Sequence, residues 1–413
     1  MSKKGRGLLK MRREEKGITL VALIITIVVM LILVAVSINV IVNSNLIGYS
    51  EKTGDAYSGA IKNEENFGND GITINDKEYA SIDDYIESRK PLPEGAGKKF
   101  TETKEYTDGT KTAVIPGGFT VSGIRKETRI DEGLVIYLIP DDEIENVKWD
   151  GTEKTKYDQF VWIPVSNANK MFMCQAKTES DSGCDLKIEG NEVICQTHKT
   201  ADATKSKNMA GRLYATGAGE SFNSSLTTQT YNANSGLREP AKLSSTNSSF
   251  VDQEEEPNLD LQTEYNNAVK KVIESKGFWI GRYETTGMSS SNDDIAVNIV
   301  AGKGTSDGIG DVNWYRMYKQ QQNYANKKNL DTSKIQSTMI FGAAYDQTMI
   351  FANCEKATTS AKDYSAVITG NVETDCYKNI YDLCGNLREW TTEANNTYYR
   401  ISRGRQLWRQ YFC

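Results

Sequence analysis

Gly277-Phe278-Trp279-Ile280-Gly281-Arg282-Tyr283-Glu284-Thr285-Thr286 is the stretch on which the fold turns. Aromatic and aliphatic residues follow a glycine and precede a polar end, which predicts a strand with Phe278, Ile280 and Tyr283 inward. Immediately before it, Leu261, Tyr265, Ala268, Val269, Val272 and Ile273 recur at helical spacing, and Gly277 follows as a stop. A helix over 259–275 is therefore expected. Two further helices are expected at Asn313–Lys327 and Phe341–Asn353. Upstream, Ala113–Val121, Gly133–Ile139 and Gln159–Val165 are β-rich runs bounded by Gly, Pro and Asp. Between the last of these and the first helix lies 166–257, rich in Ser, Thr, Asn and Lys. A connection of that length is expected to be a solvated, partly disordered insertion. With 33 Gly and 21 Tyr against 7 Pro, the chain suits a loop-rich α+β protein better than a helical bundle.

Working towards the amino end, 67–111 looks like a connector. It holds a short strand at Ile72–Ile74, an acidic helix at Ser81–Ser88, and the linker-like Pro91-Leu-Pro-Glu-Gly-Ala-Gly97. Before it, Ile18–Val42 is 25 residues long without an Asp, Glu, Lys or Arg. At about 1.5 Å per residue a helix of that length spans roughly 37 Å, more than a hydrocarbon core of about 30 Å. The helix is expected to continue to about residue 66, ahead of the breaker cluster Gly68-Asn-Asp-Gly71. Residues 1–17 carry seven Lys or Arg against two Glu. Of the total charge of −6 this end therefore holds +5, and the remainder −11. A basic end before an apolar helix stays cytoplasmic, so the rest is expected outside the membrane. The acidic remainder argues against nucleic acid as a partner.

The junction Lys16-Gly17-Ile18-Thr19-Leu20 resembles a type IV prepilin leader. The resemblance implies cleavage between Gly17 and Ile18 by a prepilin peptidase, methylation of the new amino end, and retention of the apolar helix. The family usually has Glu at the fifth mature position, where this chain has Ala22. Cleavage is therefore a firmer expectation than assembly with other pilin-like subunits.

In the carboxyl half, five segments together resemble the formylglycine-generating enzyme (sulfatase-modifying factor) family. They are Gly277–Thr286, Asp311-Val-Asn-Trp314, Ser337–Gln347, Asn379-Ile-Tyr-Asp-Leu-Cys-Gly-Asn-Leu-Arg-Glu-Trp-Thr391 and Arg400-Ile-Ser-Arg-Gly404. The resemblance covers about 112–165 and 258–404. It implies a C-type-lectin-like domain from 112 to 413 with the insertion at 166–257. It also implies a calcium site with Asn386 and Glu389 as side-chain ligands, oxygen donors of the kind calcium takes. The bland alternative has Asn386 capping a turn and Glu389 paired with an arginine such as Arg403. Catalytic members use a Cys pair near the carboxyl end to bind copper, and no matching pair occurs here. Cys376 and Cys384 are misplaced and Cys413 is terminal.

The seven Cys (174, 184, 195, 354, 376, 384 and 413) include no C-x-x-C, and His198 is the one histidine. A Cys/His zinc site is therefore not expected. The family continues past Arg-Gly-Gly, whereas nine residues follow Gly404 here. One permitted codon set for Gly404–Cys413, with its first base removed, reads Gly-Gly-Asn-Tyr-Gly-Gly-Ser-Ile-Ser and restores the family pattern. A single-base insertion that replaced the closing strand is the resulting expectation. The functional expectation is a membrane-anchored surface protein displaying a non-catalytic, lectin-like binding domain to an extracellular ligand. The alternatives are a minor pilin or pseudopilin subunit, and a sulfatase-modifying-factor-like enzyme.

Overall fold

The computed structural model describes residues 72–75, 77–176, 183–199, 203–211, 239–240, 259–302, 312–353, 369–370, 375–383, 389–394 and 400–403. The expected leader, the Gly17–Ile18 junction, the charge-free helix, Asn386 and the tail from 404 lie outside the described residues. Among the described residues no helix is long and apolar enough to cross a membrane. The chain divides into two units, Met1–Lys90 and Pro91–Cys413, taken separately below.

In the first unit, β1 (Ile72–Ile74) and β2 (Lys77–Tyr79) form an antiparallel hairpin, followed by helix α1 (Ile82–Arg89). Tyr79 and Tyr85 meet edge to face at 5.2 Å.

The second unit is a mixed α and β structure of small antiparallel sheets. Its strands begin with β3 (Lys104–Thr107), β4 (Thr112–Ile115), β5 (Thr120–Val121), β6 (Val135–Leu138) and β7 (Asp158–Pro164). The middle of the chain supplies β8 (Phe172–Cys174), β9 (Leu186–Glu189), β10 (Glu192–Cys195), β11 (Met209–Gly211) and β12 (Gly277–Gly281). Last come β13 (Cys376–Tyr377), β14 (Ile380–Tyr381), β15 (Glu389–Ala394) and β16 (Arg400–Arg403). The principal helices are α2 (Leu261–Ser275), α3 (Trp314–Gln322) and α4 (Gly342–Ala352). Asp260 and Asn313 cap α2 and α3 by accepting from the third backbone N–H onward.

One four-stranded sheet, in the order β12-β7-β6-β5, organises the unit. Side chains alternate across it, as strand geometry requires. Val135, Tyr137, Val161 and Ile163 face α4 through Tyr345, Met349 and Ala352, with Phe278 and Ile280 packed alongside. Ile136 and Trp162 face the β3–β4 hairpin through Tyr106, Ala113 and Ile115, with Trp279 beside them. Both faces are covered, which explains the near-continuous apolar run at 134–139. Gly277 is required where β12 crosses Trp162, because a Cβ there would lie 2.2 Å from the indole.

The segment Pro91–Gly97, expected as a linker, belongs to this unit instead. The Gly97 N–H donates to the carbonyls of Val121 and Ser122, and the Phe100 N–H to that of Phe119. The Pro and Gly content serves a run that turns along a sheet edge rather than a free tether. The expected solvated insertion is also corrected in part. Residues 172–174, Val193, Cys195 and residues 209–210 are buried in a cluster with Tyr265, Val269 and Val272 of α2.

Candidate functional site

The least expected constellation is built from that part of the insertion. Cys174 closes β8, Cys184 precedes β9, and Cys195 closes β10, with His198 in the turn that follows. Strands β9 and β10 pair through a two-residue Gly190-Asn191 turn, for which Gly190 supplies φ 61°. The hairpin thereby returns Cys195 beside Leu186 and next to Cys184. Strand β8 pairs with β11, which sets Cys174 opposite Met209.

All four side chains are buried, and their ligand atoms lie within 4.8 Å of one another. Nδ1 of His198 stands 3.3 Å from Sγ of Cys174, 3.8 Å from that of Cys184 and 3.1 Å from that of Cys195. The Cys174 and Cys184 sulfurs are 3.9 Å apart, and the Cys174 N–H donates to the Cys184 sulfur at 3.4 Å. Among the described residues the three cysteines form no disulfide. The adjoining Cys184 thiol and burial push the Cys174 thiol up, and burial does the same to Cys195. Three sulfurs and an imidazole converging out of water are a donor set for a thiophilic metal ion. A Cys/His cluster is thus present where the sequence reading expected no zinc site. That expectation rested on the lone histidine and the missing C-x-x-C, but one histidine suffices when three cysteines arrive from separate elements.

The predicted oxygen site is represented by Glu389, the first residue of β15. Its Oε2 is buried and has no hydrogen-bond partner among the described residues. Burial, then the charges of Glu284, Asp382 and Asp375, push its carboxyl well above the usual range. Asp375 is itself pushed up to about 6, by burial and by Asp382. Glu389 is not the partner of Arg403, contrary to the bland alternative. The two stand opposite each other in the β15–β16 register, yet the guanidinium reaches Glu393, with Asp346 farther off at 3.9 Å. The register of β15 against β16 shifts between Trp390 and Ala394, and this irregularity breaks the regular alternation that would put Glu389 and Glu393 on one face.

Two buried polar networks hold the frame. Arg282, the cation of the β12 motif, pairs with Glu127 at 2.7 Å, each side chain 7% exposed. Its Nη1 also donates to Tyr137 Oη and Gln159 Oε1. The second network centres on Glu239, which accepts from the Gly342 and Ala343 N–H groups at the start of α4. Thr392 and Tyr265 hydroxyls complete its shell. Burial and the nearby Glu393 push Glu239 up to about 8.

Compared with family models, with curated proteins and with solved structures, the chain matches none. The sequence signal for the sulfur site was the Cys195-x-x-His198 pair, with Cys184 eleven residues ahead of Cys195 and Cys174 ten before that.

Proposed function

We propose that the chain is a membrane-anchored surface protein that displays its Pro91–Cys413 unit to an extracellular ligand. The prepilin peptidase cuts between Gly17 and Ile18, and the apolar helix from Ile18 holds the product in the membrane. The observation that carries this reading is the 25-residue run without a charged side chain, preceded by an end of charge +5. The displayed unit is a non-catalytic, lectin-like domain of the formylglycine-generating-enzyme type. Support comes from how the motif segments touch. Tyr283 stacks on Tyr381 at 5.1 Å, and Trp314 Nε1 donates to the Thr391 carbonyl. Calcium sits with Asn386 and Glu389 as ligands, for which the unsatisfied Oε2 of Glu389 and its acidic neighbours are the support.

Intact-mass measurement of protein purified from membranes tests the anchor. The expected mass lacks residues 1–17 and gains one methyl group. An uncleaved chain rejects the processing step. Protease shaving of whole cells tests the display: the C-terminal unit should be lost, and its survival rejects outward placement. Isothermal titration of Glu389→Gln against the native chain tests calcium, which the variant should bind more weakly.

A further inference from the structure

We propose that Cys174, Cys184, Cys195 and His198 bind one zinc ion as a closed, structural Cys3His centre. A tetrahedral zinc with about 2.3 Å to sulfur and about 2.0–2.1 Å to nitrogen separates two sulfurs by about 3.8 Å, and a sulfur from a nitrogen by about 3.6 Å. The observed sulfur–sulfur distance of 3.9 Å and sulfur–nitrogen distances of 3.3, 3.8 and 3.1 Å bracket those edges. The remaining sulfur pairs fall inside the same 4.8 Å limit. No rearrangement of backbone is needed to bring four ligands to one ion.

Donor chemistry selects the metal. Three thiolates and an imidazole in tetrahedral array suit zinc, whereas calcium and magnesium require oxygen. The Cys184 sulfur also accepts from the Cys174 N–H, an outer-shell hydrogen bond of the kind that orients a metal ligand. Four protein ligands leave no open position, and all four are buried, so the ion holds structure rather than activating water. What it holds is specific. It ties the β9–β10 hairpin to β8, and through β8 and β11 to the Tyr265, Val269 and Val272 face of α2. Residues 172–176 and 183–198 are then metal-stapled inside what composition presents as a polar insertion. The site is independent of the proposed function and of which side of a membrane the unit occupies.

The test uses the full-length chain, purified in detergent without chelator and analysed by elemental mass spectrometry. One zinc per chain is expected. Exchange with cobalt(II) should give the intense visible bands of a tetrahedral ion together with sulfur-to-cobalt charge transfer, whether or not any variant folds. Cys195→Ser and His198→Ala should each weaken zinc by more than about a hundredfold, since losing even an outer-shell partner costs about 10- to 100-fold. Cys376→Ser lies outside the cluster and should keep the full equivalent. Alkylation should reach the three thiols only after a chelator is added. The proposal is overturned by a folded, zinc-exposed native chain that holds well under one equivalent, or by iron or copper in zinc's place. An octahedral cobalt spectrum, a disulfide among Cys174, Cys184 and Cys195, or loss of zinc in Cys376→Ser also overturns it.

Discussion

Replacing Glu127 by alanine isolates the charge that the β12 motif buries. In the native chain the Glu127 carboxylate meets the Arg282 guanidinium at 2.7 Å, with 7% of each side chain exposed. Its other oxygen accepts from Ser122 Oγ and Tyr137 Oη, each at 2.7 Å. Truncation leaves the guanidinium with two neutral acceptors, Tyr137 Oη at 3.1 Å and Gln159 Oε1 at 3.0 Å. Removing one partner of a buried ion pair costs about 3–5 kcal/mol, because the survivor's desolvation is no longer offset. The pair itself is worth much less against an apolar replacement. Glu127→Leu combined with Arg282→Met should therefore recover most of the loss. Urea unfolding followed by tryptophan fluorescence suits the purpose, since Trp162 and Trp279 pack 5.1 Å apart in the same sheet. With a urea slope of about 3 kcal/mol/M, the single variant should shift the midpoint down by about 1 to 1.7 M. Added salt should change the shift little, because buried charges are poorly screened. A single variant within about 0.5 kcal/mol of native, the range of an ordinary surface change, refutes the reasoning. So does a double variant as unstable as the single one.

Three further outcomes follow from separate parts of the fold. Gly133→Ala should cost about 3 kcal/mol or more, because φ is 90° and the new Cβ would lie 1.9 Å from the Lys378 carbonyl oxygen. Gly109→Ala has φ 92° but open space around it, so it should cost only about 1–2 kcal/mol in thermal unfolding, and equal losses at the two sites would reject the contact. Glu239, pushed up to about 8, binds its proton more tightly in the folded state than in the unfolded one. Its contribution is fully present below the unfolded value of about 4.3 and lost as pH rises through 8, on the order of 5 kcal/mol in all. Glu239→Gln should flatten that fall, and stability that climbs between pH 5 and 8 would count against it. Zinc at a thousandfold excess over its dissociation constant stabilises by about 4 kcal/mol, so a chelator should lower the thermal midpoint of the native chain by well over twice as much as that of Cys195→Ser, and equal shifts would count against the centre.

The helices and the main sheet were legible because their signals are local. The apolar spacing of Leu261, Tyr265, Val269 and Val272 marks one face of α2, and Asp260 and Asn313 are capping residues by type. The alternation of Phe278 and Ile280 against Trp279 is the strand period written directly in sequence. What escaped is non-local. Arg282 follows a glycine near a strand end, where a cation ordinarily meets water, and only the fold brings Glu127 to it. Glu239 stands in a polar stretch, yet its carboxylate caps the first turn of α4 about a hundred residues onward. Pro91–Gly97 has the composition of a tether and the hydrogen bonds of a sheet edge. The four sulfur-site residues share no period, since each is delivered by a different strand end or turn.

The count of thiols separates a metal centre from a disulfide at the sulfur cluster. An oxidising exterior converts cysteine pairs to disulfides, and three clustered cysteines can form one such bridge and leave one reactive thiol. A zinc ion takes all three as ligands together with His198 and leaves none over. It also staples where the chain most needs it. Residues 172–198 contribute short strands of three and four residues, too little for an isolated hairpin to hold in water. The metal supplies the order that length does not, as in small domains whose folding is metal binding. The odd number of cysteines in the insertion then follows from the ligand count rather than from a missing disulfide partner.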